Sequence, residues 1–134
     1  MLHPLLLQEL QLQLTKIVSL SGVLDIREFM ATRPDVKGEL MKDFGLADDI
    51  NEPEWLDQRD ALLTAPKMRS QLPIIILQGT EDNRVGLTQG QKMIKQLKDN
   101  GKHVFYLEIE GGDHCLSNHK DRVRLVLDLL EKEN

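Results

Sequence analysis

Apolar residues first recur at helical spacing over residues 4–14, where Leu6, Leu7, Leu10 and Leu14 share one face and Pro4 suits a first turn. The pattern then changes. "KIVSLSG" (16–22) is short, β-branched and closed by glycine, which predicts a buried strand. "DIREFMATRP" predicts a short helix that stops before Pro34, because the residue ahead of a proline is pushed out of the helical region. Residues 35–70 are more polar and broken, so only short helices are expected there, with Asn51 as a cap and Pro53 in a first turn. Sparse apolar residues make this stretch the expected weak point of the fold.

Further along, "PIIILQG" (73–79) is a continuous apolar run of strand length, as expected for a parallel strand covered on both faces. Residues 87–99 place Leu87, Met93, Ile94 and Leu97 along one helical face, and Asn100-Gly101 predicts a left-handed stop. "HVFYLEI" (103–109) reads as a third strand, followed by the glycine-opened loop "GGDHCLSNH". The chain closes on an amphipathic helix with Val123, Val126, Leu127 and Leu130 inward and Ser117 as its N-cap. Strands alternating with helices predict right-handed crossovers and a three-layer α/β/α fold around a mostly parallel sheet.

Composition narrows the class. The 134 residues suit one domain, and the apolar share of 40% and charged share of 29% are those of a globular protein. A net charge of -5 argues against nucleic acid or an anionic membrane as a partner. The amino-terminal run lacks a basic flank and a small-residue cleavage site, and Gln8, Glu9, Gln11 and Gln13 interrupt it. With a single cysteine, Cys115, nothing demands an oxidising compartment, so a cytoplasmic location is expected.

In a parallel sheet, reactive groups collect beyond the carboxyl ends of the strands. Asp82 follows one predicted strand and His114 the next, so neighbouring strands would bring them to one rim. Such a pair is the orienting half of a charge relay, in which a carboxylate holds an imidazole that acts as base. It requires a nucleophile from the loop after an earlier strand. Glu81 and Asp82 also fit an ordinary turn, but His114 at the matching place on the next strand favours the relay. The grouping of Asp113, His114 and His119 is a weak metal pattern, and no metal or other cofactor is expected. No glycine-rich phosphate loop is present. His3 and His103 read as surface or strand-edge residues, Trp55 as a packing anchor, the lysines of "KMIKQLK" as a solvated face, and Cys115 as a buried or partly buried inert thiol.

From Lys16 to the end the sequence resembles the carboxyl-terminal half of an α/β-hydrolase, in particular the catalytic domain of the prolyl-oligopeptidase family of serine peptidases. "KIVSLSGVLDI" resembles that family's strand after the nucleophile helix, and "QRDALLTAPKMRSQLP" its approach to the next strand. "ILQGTEDNRV" resembles its acid loop and "GGDHCLSNH" its histidine loop. The resemblance implies a catalytic aspartate at Asp82, a catalytic histidine at His114, and a substrate-binding arginine at Arg84. It implies peptide or ester hydrolysis by acyl transfer; ordinary esterases share much of the pattern.

The sequence departs from the family in one respect: it has no G-x-S-x-G. In the family the nucleophile serine precedes a helix of about the length of residues 1–15, so residues 1–134 are expected to form a partial domain without the serine-bearing part. Ser19 and Ser21 fall one strand later and read as structural. The alternative is a catalytically inactive binding or interaction module of the same topology. Without upstream strands, residues 16–21 would form an open edge, which predicts self-association through that strand.

Overall fold

The computed structural model describes residues 15–43, 52–68 and 71–132. The helix expected over residues 4–14, His3, the Asn51 cap and the Trp55 side chain lie outside the described part. Three parallel strands, β1 (Ile17–Leu20), β2 (Ile74–Gly79) and β3 (Val104–Ile109), form one sheet in the order β1-β2-β3. Helices α1 (Ile26–Thr32), α2 (Pro34–Asp43), α3 (Glu52–Arg59) and α4 (Ala61–Thr64) connect β1 to β2. Helix α5 (Leu87–Asp99) connects β2 to β3, and α6 (Lys120–Lys132) ends the described chain.

The central strand explains its own composition. Every residue of β2 is buried, because helices cover both of its faces. Ile74 and Ile76 face one layer, where Met93 and Leu97 of α5 and Ala65 complete a core cluster. Ile75 and Leu77 face the other, where Ile109 and Leu116 are joined by Val123, Val126, Leu127 and Leu130 of α6. This is a three-layer α/β/α arrangement, and a strand buried on both faces must be apolar at every position.

Helix α5 spans the residues that its periodicity predicts and stops as expected, with Gly101 at φ 68° in the left-handed region. Its inward face also carries a polar member, Gln89, which is buried. The Gln89 side chain accepts from the backbone N–H groups of Leu24 (2.8 Å) and Asp25 (2.9 Å) and donates to the Asp25 carbonyl (3.0 Å). Asp25 in turn caps α1 by accepting from Glu28 N–H at 2.9 Å. Lys92, expected to be merely solvated, donates to Asp25 Oδ2 at 3.0 Å and pairs with Glu28 at 3.3 Å. These contacts lock the loop after β1 onto α5, a tie between segments too distant in sequence for periodicity to reveal.

Strand β1 forms where expected but is only partly buried. Val18 and Leu20 are 40% and 47% exposed, because among the described residues β1 has a neighbour on one side only. Among the described residues no helix is long and apolar enough to cross a membrane.

Candidate active site

The site is built on the carboxyl ends of β2 and β3. Gln78 and Gly79 end β2, and the chain turns at once into Asp82. The Asp82 carboxylate is fully buried and receives four hydrogen bonds. Its Oδ1 accepts from the backbone N–H groups of Arg84 and Val85, both at 2.9 Å. Its Oδ2 accepts from the Gln78 amide at 3.0 Å and faces His114 Nδ1 at 2.9 Å. Burial pushes the Asp82 carboxyl up. The Val85 N–H, His114 and the Arg84 N–H outweigh this, so the group ends below its ordinary value and stays ionised.

Gln78 is the residue that sequence reasoning missed. Completely buried, it donates from Nε2 to both Asp82 and the Val85 carbonyl (3.0 Å), holding the acid loop closed over the strand end. Its signal was a lone amide at the end of an otherwise apolar run, which needs a partner whenever it is buried.

Direct backbone contact holds the two loops together. Gly79 packs so closely on Gly112 that a Cβ at Gly79 would sit 2.2 Å from the Gly112 carbonyl oxygen. Thr80 N–H donates to the Ile109 carbonyl (3.0 Å), Glu81 N–H to the Gly112 carbonyl (2.9 Å), and Gly111 N–H to Thr80 Oγ1 (2.8 Å). The histidine loop then folds on itself. Asp113 accepts from the Ser117 backbone (2.9 Å) and hydroxyl (2.7 Å), and the Asn118 amide donates to the Gly111 carbonyl (2.9 Å). Leu116, buried at the turn, adopts φ 52°, a left-handed conformation that costs a branched residue energy and persists because its surroundings impose it.

Two expectations need correction here. Ser117 does not cap α6; it opens a short 3₁₀ turn (Ser117–His119) ahead of that helix and is spent on Asp113. Cys115 is exposed, not buried, because Leu116 takes the inward position and turns its neighbour outward.

His114 is 31% exposed, in contrast to the buried acid. A neutral imidazole that donates from Nδ1 to a carboxylate has its lone pair on Nε2, so it can take a proton there. His114 lines a cleft of about 420 Å³ together with Val23, Phe29, Val36, Arg33 and Arg84. The geometry therefore brings Asp82 and His114 into direct contact and sets Arg84 in the same cleft. Ser21 is buried at φ 50° at the end of β1, its hydroxyl without a partner among the described residues. Ser19 is half-buried in β1 itself.

A parallel α/β sheet with an acid and a histidine at its strand ends defines the α/β-hydrolase class of fold. The chain belongs to the prolyl oligopeptidase family, whose profile matches residues 15–131. Among solved structures it is similar to a puromycin-hydrolysing peptidase of Mycobacterium tuberculosis, with a TM-score of 0.59 and 24% identity over 72% of this chain and 14% of that one. It is also similar to an acylaminoacyl peptidase solved with Z-Gly-Gly-Phe-chloromethyl ketone, with a TM-score of 0.50 and 24% identity over 64% of this chain and 15% of that one. The chain thus matches about a seventh of each of these relatives. No curated protein matches it.

Proposed function

We propose that this chain supplies the acid and base of a serine-type hydrolase that cleaves peptides or esters by acyl transfer. The 2.9 Å contact between Asp82 Oδ2 and His114 Nδ1 carries the reading. In this scheme a serine hydroxyl attacks the substrate carbonyl while its proton passes to His114 Nε2. His114 then gives that proton to the departing amine or alcohol, and water repeats the cycle on the acyl-enzyme. Asp82 holds the imidazole in one tautomer and stabilises the imidazolium. Arg84, which lines the same cleft as His114, is in this reading the residue that contacts the substrate backbone.

The serine comes from sequence outside these 134 residues, since no G-x-S-x-G occurs within them. A partial catalytic domain of this kind is inactive alone. The unpaired Cys115 suits a cytoplasmic setting. Intact-mass labelling with a fluorophosphonate tests the assignment, comparing the chain with its His114→Ala variant. No adduct on either folded chain is expected. A single adduct lost in His114→Ala would instead put the nucleophile inside the chain, with Ser21 the first position to map.

We further propose that two copies associate through β1. Ile17 and Ser21 donate their backbone N–H groups to Pro73 and Leu77, so by strand alternation the N–H groups of Val18 and Leu20 point to the open side. Exposed apolar side chains on an edge with free donors favour pairing with another strand.

A further inference from the structure

The cleft beside His114 holds more positive charge than the relay needs. Arg33, from the end of α1, and Arg84, from the acid loop, line it together, on a chain whose net charge is -5. Among the described residues the Arg84 guanidinium has no carboxylate partner. Arg33 is bound by Asp35, whose two oxygens accept from Nε at 3.1 Å and Nη2 at 2.8 Å. A guanidinium has five N–H donors, so this pairing leaves Arg33 donors for a second anion. The acid nearest the imidazole, Asp82, is buried behind it and saturated by four donors.

The same cleft is lined by the apolar residues Val23, Phe29 and Val36. Apolar walls lower the local dielectric and strengthen charge-assisted hydrogen bonds made against them. A neutral substrate would leave the spare donors of Arg33 unused and engage Arg84 only through a backbone carbonyl, whereas a carboxylate fits the forked geometry of both.

We infer that the His114 cleft selects substrates carrying a carboxylate close to the scissile bond, with Arg33 and Arg84 as the specificity-determining pair. The inference rests on the hydrolase reading and names the substrate class for that site. The carboxylate comes either from an acidic side chain or from a free carboxyl terminus, and the recognition chemistry is the same for both.

The test follows the His114 ring and the Arg side-chain NMR resonances of the chain during titration with three peptides. These are acetyl-Ala-Glu-Ala-amide, acetyl-Ala-Ala-Ala with a free carboxyl terminus, and the neutral acetyl-Ala-Ala-Ala-amide. At least one acidic peptide is expected to bind roughly tenfold more tightly than the neutral one, a difference of about 1.4 kcal/mol. Which of the two does so identifies the source of the carboxylate. Arg33→Gln should remove the preference and leave binding of the neutral peptide in place, whereas Arg84→Gln, which also loses the contact to the peptide backbone, should weaken all three peptides and the acidic ones most. Unchanged backbone amide spectra certify that both variants fold. Equal binding of all three peptides, no binding at all, or a preference that survives Arg33→Gln overturns the inference. The Nδ1 proton resonance of His114 without peptide, and its loss in Asp82→Asn, reports the relay pair separately. If that resonance behaves as expected and the acid preference is absent, only the substrate assignment falls.

Discussion

The two ends of the sheet's first two strands differ sharply. Where β2 ends, everything is over-determined: Asp82 has four donors, Gly79 rests on Gly112, and Gln78 ties the turn to the strand. Where β1 ends, among the described residues, Ser21 is buried with an unpartnered hydroxyl, Val18 and Leu20 stay exposed, and no strand pairs with the outer edge. Both segments carry β-branched and apolar residues. The difference lies in what surrounds them, β2 having a strand on each side and a helix on each face. A site whose geometry must hold within fractions of an ångström belongs at the first kind of place.

The sharpest way to break the comparison is to truncate its buried side. Leu97→Ala, which empties a fully buried position against Ile74 and Ile76, should cost about 3 to 4 kcal/mol in urea unfolding. Leu20→Ala on the edge strand should cost less than about 1 kcal/mol by the same measurement. Equal losses would mean that β1 is covered in solution.

Gly79→Ala comes next. The new methyl group would collide with the Gly112 backbone, which cannot move without carrying His114 with it. A loss of about 2 to 3 kcal/mol is expected, together with disappearance of the His114 Nδ1 proton signal. Retention of that signal at wild-type position would show the loops to be more compliant than their contacts imply.

Acid titration separates two buried carboxylates by sign. Asp82 has a folded value below the ordinary 3.8 of an aspartate, so its contribution is present above that pH and is lost as pH falls through its lower folded value. Asp60 caps α4 through Leu62 N–H, yet burial, reinforced by the charge of Asp25, raises it above 3.8 despite that bond. Its contribution is therefore present below 3.8 and fades as pH rises through its higher folded value. Asp82→Asn should flatten the acid limb of the stability curve. Asp60→Asn, which keeps a capping oxygen and removes the charge, should raise stability at neutral pH. Unfolding midpoints measured from pH 2 to pH 7 check both (about the usual carboxylate range).

The smallest expected effect on stability sharpens the comparison from the other side. Leu20→Lys should change unfolding by roughly 0.5 kcal/mol or less and abolish dimers in sedimentation, since a charge on an open edge blocks strand pairing. A wild-type chain that sediments as a monomer, with slowly exchanging amides at Val18 and Leu20, would remove the self-association proposal.

The sequence by itself determined the elements that depend on local pattern. The run "PIIILQG" could only be a strand covered twice, the period of residues 87–99 placed α5 with its bounds, and Asn100-Gly101 ended it. The order of acid and histidine after successive strands was enough to bring Asp82 and His114 to one rim. Only tertiary structure decided what depends on contacts between distant segments. Gln89 became a buried linchpin because backbone groups of the distant loop after β1 met it, and Gln78 because the acid loop that follows it folds back over the strand end. The alternation of apolar and polar residues says nothing about such partners. Cys115 faces outward and Ser117 binds Asp113 because Leu116 is forced inward at a left-handed turn. The shared cleft of Arg33, Arg84 and His114 arises in the same way. Residues widely separated in the chain meet there because parallel strands deliver every loop of this kind to the same end of the sheet.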